Sequence, residues 1–563
     1  MIPVDNKQKR ILITAALPYA NGDLHLGHVM STYLPADIYT RYCKLAGYDA
    51  LYICASDEHG TPIEMNATKA GKKPEEFVKY YHDRQLADFQ KLGIKFDEYY
   101  STNSAENAQI AVEFFEEHKK KGDIYEKEIG QNYCETDQRF LPDRFLRGTC
   151  PFCSATDQYG DVCEKCGKTY SADKLISPKC AVCGKPPVRR KSKHLFFKLS
   201  AFSSWLSAYI NERPFPKDVV NYLQTWIKEG LADWDITRDG PYFGIPIPGE
   251  ENKFFYVWYD APIGYVSSTL HYCNGDRAKF ETYWKDPKTE IVHFIGKDII
   301  YFHFLFWPAM LKEAGYNVPY RIPVRGHATL NGEKMSKSRG TLIGLADFLS
   351  RYPADFLRYY YTSITPNATI DANFSWDEFG AKVNNEFVGA ACNYAYRVLT
   401  FVKNNYESTV PAPKAELLAA PKEAEFSAKI DAFPKRLAAH LEEIELKAGL
   451  EDAMAFTSEC NRYFNDRAPW KLVKENPEEA KAVVFLATKA LYSLSVHLSP
   501  FVPGYAQKIY AQLGFAGDVS KAHWEDYSEF KAGAKIGEPE IVHRPIDKKV
   551  IAEENAKIAP KAG

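Results

Sequence analysis

The sequence predicts an α/β fold: a parallel-sheet domain split by a cysteine-rich insertion and followed by an α-helical bundle. Three observations carry this. The chain opens with a strand, loop, helix, strand pattern. Seven of its 12 cysteines crowd between Cys134 and Cys183. Beyond Ser350, apolar residues recur at spacings of three and four.

The opening strand is Ile11 to Ala16, a β-rich run ending in the turn signal Leu17-Pro-Tyr-Ala-Asn-Gly22. A helix-compatible stretch, His28 to Leu45, and a second apolar run, Leu51 to Ala55, complete one βαβ unit, whose loop at the strand's carboxyl end is available to a nucleotide. From 119 to 250 the texture turns to Cys, Gly, Pro and charge, including the basic run Lys185 to Lys193, and helical periodicity is weak before Phe202 to Ile210. This is the insertion. Apolar runs at Phe254 to Trp258, Ile291 to Ile295 and Arg321 to Val324 are read as strands that complete the sheet. Helices are expected over Val383 to Val402, Ala453 to Phe464 and Ala480 to Leu498, with Val410 to Pro421 as a connector. The expected units are 1–118, 119–250, 251–328, 329–385 and 386–540, with 541–563 a charged, weakly patterned tail.

At 563 residues the chain needs several cores, and 45% hydrophobic with 26% charged residues is a globular composition. The 71 basic and 73 acidic residues nearly cancel, which excludes a globally basic nucleic-acid binder and confines any RNA contact to local patches. The polar start Met1 to Arg10 and the Asn-Gly-Asp after the apolar run do not form a signal peptide. The stretch Phe302 to Leu311 contains His303 and Pro308 and falls short of the ~20 residues of a membrane span. A soluble, cytoplasmic protein with no membrane and no DNA partner is expected.

Two segments are candidates for nucleotide chemistry. In Tyr19-Ala-Asn21-Gly-Asp-Leu-His25-Leu-Gly27-His28, two imidazoles share one side of a first helical turn, and Gly27 lets a flat nucleotide approach the backbone. Helix amides nearby favour phosphate oxygens. In Lys334-Met335-Ser336-Lys337-Ser338, two ammonium groups sit on a glycine-flanked loop that can close on a triphosphate and neutralise charge on departing pyrophosphate. Alone, each has a bland reading: two surface histidines, or a solvated basic loop. Together, in this order, they resemble the paired signatures of class I aminoacyl-tRNA synthetases.

Four further stretches resemble the methionyl-tRNA synthetase family: Ala15 to Gly22, Cys54 to Pro62, Tyr256 to Tyr265 and Phe294 to His303. The resemblance implies a Rossmann-like catalytic domain and ATP-dependent ligation of L-methionine to tRNA(Met), initiator tRNA included, through methionyl-adenylate, with Mg2+ accompanying ATP. It implies that His25, His28, Lys334 and Lys337 are catalytic. ATP would meet Tyr19, Asn21, Gly27, His28, Gly296, Asp298 and the segment Lys334, Met335, Ser336, Lys337, Ser338. Asp57 would pair with the α-ammonium, and Ala16, Leu17, Tyr19, Trp258, Pro262, Tyr265, Ile299, Phe302 and His303 would enclose the side chain. Methionine's flexible thioether has almost no hydrogen-bonding capacity, so selection must rest on shape and S-aromatic contact, with one donor to sulfur expected from Tyr265 or His303.

Cys150-Pro-Phe-Cys153 and Cys163-Glu-Lys-Cys166 form two thiolate pairs able to close a tetrahedral structural zinc site. Cys180-Ala-Val-Cys183 and Cys134-Glu-Thr-Asp137 offer a second set in which a carboxylate stands where two-knuckle relatives carry cysteine, and its occupancy is left open. In the helical part, Asn393 and Arg397 lie one turn apart and Trp470 follows Ala-Pro. The resemblance implies that they meet the CAU anticodon, Trp470 by stacking. Another class I ligase such as the cysteine enzyme shares the nucleotide motifs but commits Cys and His ligands to an active-site zinc, which the aromatic stretch here lacks. A nucleotidyltransferase would lack the helical elements, and a zinc-ribbon RNA module would lack both.

Overall fold

The computed structural model describes residues 9–142, 145–160, 163, 165, 166, 168, 170, 172–335 and 342–558. Arg10–Ala15 (β1), Asp49–Ser56 (β2) and Glu98–Ser101 (β3) run parallel, with Leu12 opposite Leu51 and Cys54 opposite Tyr99. Ile11, Leu12 and Ile13 are all fully buried. Ile11 and Ile13 enter one apolar cluster and Leu12 another, as expected for a parallel strand covered on both faces.

The insertion follows a helix at Ala105–Lys121. Ile124–Cys134 (β4) turns into Arg139–Phe140 (β5); Leu146–Thr149 (β6), Gln158–Tyr159 (β7) and Ile176–Cys180 (β8) build the cysteine-rich tip; Val188–Phe197 (β9) returns along β4 as a long antiparallel ribbon. Trp234–Asp235 (β10) extends the β9 edge. Thr237–Asp239 (β11) and Lys253–Phe255 (β12) form a separate antiparallel pair, after which Val257–Asp260 is a helical turn. The run Phe254 to Trp258, expected as a sheet strand, therefore lies outside the parallel sheet. Five apolar residues are too short a window for periodicity to separate a strand from a buried turn.

Thr289–Gly296 (β13) and Val324–Arg325 (β14) complete the sheet in the order β14-β13-β1-β2-β3, all parallel. The run Arg321 to Val324 contributes only a bridge from Arg321 to Val292 and the short β14. Ala328–Leu330 (β15), Glu333–Lys334 (β16) and Ala372–Phe374 (β17) make a small sheet at the same end of the domain.

The helical part contains Asn393–Tyr406, Pro421–Glu442, Leu446–Arg467, Pro477–His497 and Pro503–Gln512. One apolar cluster runs from Tyr39 and Phe294 of the α/β part to Leu437 and Val484 of the bundle. The seam is pinned by the fully buried Arg358, which donates to Asp37 at 2.7 Å and to the Pro500 and Phe501 carbonyls at 2.8 Å. The tail expected to be weakly patterned carries a helix, Lys548–Ile558, anchored by Ile551 against Gly380 and by a Glu554–Arg351 ion pair. Two anchors are too few to produce a legible apolar stripe. Among the described residues, no helix is long and apolar enough to cross a membrane.

Candidate functional site

A cavity of about 590 Å³ opens at the carboxyl ends of the parallel strands. Its walls bring together Ala16, Leu17, Tyr19, Gly27, His28, Asp57, Trp258, Pro262, Tyr265, Gly296, Asp298, Ile299, Phe302 and His303 from five separate stretches. Asn21 stays in the preceding turn, its amide bonded to the Tyr19 carbonyl. Ser336, Lys337, Ser338 and the side chain of Lys334 lie outside the described residues.

Where the first helical turn meets the cavity, the His25 ring accepts from the Gly27 amide at 3.1 Å, while the His28 ring accepts from the His25 amide at 3.1 Å. The imidazoles thus occupy the helix start themselves, with ring centroids 3.6 Å apart. Burial lowers the His25 pKa to about 4; burial and the adjacent His25 lower that of His28 to about 3. Burial thus favours the neutral rings, and with each Nδ1 accepting from a backbone amide, Nε2–H is the group left to donate. Gly27 is required by space: a side chain there would meet His25 Cε1 at 2.9 Å and Met335 Sδ at 3.4 Å. The chain beyond the lysine-rich loop returns to the same place, with Leu26 N bonded to Ile343 O at 3.0 Å and Leu345 N to Leu24 O at 2.9 Å. The two signature segments are neighbours.

At the other end, Trp258 and Phe302 stack at 3.7 Å between centroids. His303 Nδ1 faces the Ile299 carbonyl at 3.2 Å and must donate to it. Its Nε2 is then an acceptor and takes the Tyr265 hydroxyl proton at 3.0 Å. Burial lowers the His303 pKa to about 4, so no second N–H arises. The expected donor to sulfur is therefore absent from this arrangement: both candidates are satisfied by each other and by backbone. Asp57 Oδ1 is buried without a hydrogen-bond partner. Burial and nearby Asp260 push this carboxyl above the usual range, while the His59 ring and amide pull it back.

Away from the cleft, ligand atoms of Cys150, Cys153, Cys163 and Cys166 all lie within 4.8 Å of one another, as do those of Cys134, Asp137, Cys180 and Cys183. Four thiolates at ~2.3 Å from a tetrahedral zinc stand about 3.8 Å apart. The observed Sγ separations of 3.5 Å (Cys153–Cys163), 3.9 Å (Cys150–Cys166) and 3.4 Å (Cys134–Cys183) fit this. Asp137 Oδ2 sits 3.1 Å from Cys134 Sγ and 3.0 Å from Cys180 Sγ, filling the fourth corner. Amides of Cys166 and Val182 point at Cys163 and Cys180 sulfurs, an arrangement that favours thiolates. Both clusters can hold a structural zinc.

On the helical part, Arg397 donates to Asn465 Oδ1 at 2.6 Å and lies over Phe464, whose ring is edge-on to Trp470. Trp470 is 41% exposed, and Asn393 is exposed one turn before Arg397.

Residues 11–399 match the family model described as tRNA synthetases class I (M), and residues 412–562 match the anticodon binding domain of methionyl tRNA ligase. The chain belongs to the class I methionyl-tRNA synthetases. A methionine–tRNA ligase of Myxococcus xanthus is 44% identical over 90% of this chain and 72% of its own length. One of Methanopyrus kandleri is 41% identical, over 98% and 82%. Among solved structures, Mycobacterium tuberculosis methionyl-tRNA synthetase in complex with methionyl-adenylate is similar with TM-score 0.79 at 25% identity, covering 95% of this chain and 99% of that one.

Sequence reasoning missed several groups that this synthetase fold brings to the cleft. Arg238, stacked 3.6 Å from the Tyr256 ring, and Tyr242 both line it. His59 and Asp260 form a buried pair beneath Asp57. His59 lay in view within the Cys54 to Pro62 stretch, but its partner is 201 positions away.

Proposed function

We propose that the cleft carries out both steps of methionine–tRNA ligation, with the amino acid at the Asp57 end and ATP at the His28 end. The enzyme is an ATP-dependent methionine–tRNA ligase. The methionine carboxylate attacks the α-phosphorus of ATP in line, the bond to the β-phosphate oxygen breaks, and pyrophosphate leaves. The 2′ hydroxyl of the terminal tRNA ribose then attacks the adenylate carbonyl, its proton is released, and AMP departs. Catalysis of this kind rests on positioning and charge stabilisation.

The observation that carries the reading is the unpaired, buried Asp57 Oδ1 beside an aromatic box, an arrangement that takes one ammonium group and one apolar side chain. Asp57 holds the α-ammonium. Ala16, Leu17, Trp258, Pro262, Tyr265, Ile299, Phe302 and His303 enclose the thioether, and Tyr19 closes over it. His25 and His28 donate to phosphate oxygens, Lys334 and Lys337 neutralise pyrophosphate, and Gly296 and Asp298 receive adenosine. Magnesium enters as part of the ATP substrate. Asn393, Arg397 and Trp470 read the anticodon of tRNA(Met), initiator included, in the cytoplasm.

Each cysteine cluster holds one structural zinc, the second through three thiolates and the Asp137 carboxylate. Metal analysis should return two zinc per chain; one zinc, with Cys134, Cys180 and Cys183 open to thiol reagents, would remove the second site. The functional test is aminoacylation of tRNA(Met) transcripts. Methionine should be esterified to a CAU-bearing transcript and not to one with a substituted anticodon; equal charging of both would defeat the anticodon assignment.

A further inference from the structure

The floor of the amino-acid end holds more charge than one ammonium group can balance. Asp260 is fully buried and Asp57 half-buried, and each has a buried Oδ1 with no hydrogen-bond partner. Between them stands His59, itself buried. Its Nδ1 lies 2.5 Å from Asp260 Oδ2, its backbone amide favours the ionised form of Asp57, and its carbonyl accepts from the Tyr19 hydroxyl at 2.8 Å. One residue thus touches both carboxylates and the tyrosine that closes the pocket.

The local sequence explains how. Gly60 takes φ +103°, which lets Gly60 N bond the Phe243 carbonyl at 2.9 Å and leaves the His59 ring edge-on to Phe243 at 5.4 Å. Asp260 is fixed from the far side: it closes the turn Val257–Asp260, and its carbonyl faces the Asn107 side chain at 3.5 Å. The groups facing the cluster are few. His59 sees Asp260, Asp57 and Asn103. Asp57 sees Asp260, His59 and Glu58. The Tyr19 and Tyr242 phenols lie near Asp260, with Arg238 beyond Tyr242. Burial works against the imidazolium, but contact with Asp260 wins and holds His59 above its usual pKa. An imidazolium at His59 offsets one of the two carboxylates, against burial that holds both the Asp57 and the Asp260 carboxyls above their usual range.

We propose that His59, held by Asp260, is a positioning residue for the α-ammonium group of the amino acid. It orients Asp57 and compensates the second buried carboxylate, so that the pocket offers a single negative charge at Asp57. This rests on the reading that Asp57 holds the ammonium. Without the His59 cation, two adjacent buried carboxylates share a proton, and Asp57 spends part of its time neutral, unable to hold an ammonium ion.

The test is methionine-dependent pyrophosphate exchange by the full chain carrying Asp57→Asn, His59→Gln, Asp260→Asn or the double change His59→Gln with Asp260→Asn. His59→Gln should raise the methionine KM by roughly tenfold or more and leave the ATP KM within about twofold. Its kcat/KM for methionine should climb over a higher pH range than that of the unaltered enzyme, because Asp57 must now lose a shared proton without the help of His59. Adding Asp260→Asn should recover most of the methionine affinity, since Asp57 is again the only charge. A merely structural His59 predicts the opposite: the double variant would be no better than His59→Gln, and that result overturns the proposal. Unchanged methionine KM in Asp57→Asn overturns the Asp57 reading itself. An impaired Asp57→Asn beside an unimpaired His59→Gln overturns only the role of His59.

Discussion

On the function proposed above, the cleft and the exposed face around Trp470 select their ligands by opposite means. In the cleft, polar groups of the amino-acid end are consumed internally: Tyr265 gives its proton to His303, His303 gives its own to Ile299, and the Trp258 and Phe302 rings stack on each other. What remains is a largely apolar volume bordered by the Asp57 carboxylate. On the helical face Arg397 is held by Asn465, but its neighbours stay open. Trp470 is 41% and Tyr396 38% exposed, and Asn393 is solvent-facing beside Arg397. A thioether with almost no hydrogen-bonding capacity is best recognised by a site that hides its own donors. Unstacked bases bring their own donors, acceptors and π-faces, and are met by exposed rings and polar edges.

Four outcomes sharpen this contrast. Asp57→Asn should lower kcat/KM for methionine in pyrophosphate exchange by about a thousandfold, the loss expected when one partner of a buried ion pair is removed. A loss below tenfold would mean that the apolar box binds the substrate by itself. Norleucine and homocysteine, which differ by the sulfur or one methyl, should be activated at roughly 10- to 200-fold lower kcat/KM than methionine. Exchange with neither analogue would reveal a sulfur-specific donor. Trp470→Ala should cut aminoacylation by roughly ten- to a hundredfold and leave exchange unchanged, since base stacking is worth about 1–3 kcal/mol. Equal loss in both assays would abolish the division between the two regions. Tyr265→Phe should cost less than about tenfold in exchange, because the hydroxyl bonds His303 and not the substrate.

The features legible in the sequence were those written in contiguous stretches. The segment around His25 and His28, the βαβ opening and the four Cys of the first cluster could be read because turn chemistry and ligand spacing are local. The second cluster was half legible: Cys134 and Asp137 lie at one end of the β4–β9 ribbon and meet Cys180 and Cys183 only once the ribbon folds back. The charge state of His25 and His28 was not legible at all, because it follows from burial. Nor was the internal pairing of Tyr265 with His303, which replaces the expected donor to sulfur. The Phe254 to Trp258 run misled because only Phe255 is buried, and not within the parallel sheet: it packs against Tyr259 of the turn that carries Asp260 toward His59. Long-range pairs such as Arg358 with Asp37 leave no local trace either.

Amino-acid-dependent ATP–pyrophosphate exchange, run with each of the twenty amino acids, tests the central claim most directly. The account predicts exchange with methionine and none above background with cysteine, leucine or isoleucine. Exchange driven by cysteine, or methionine-independent exchange, would contradict it.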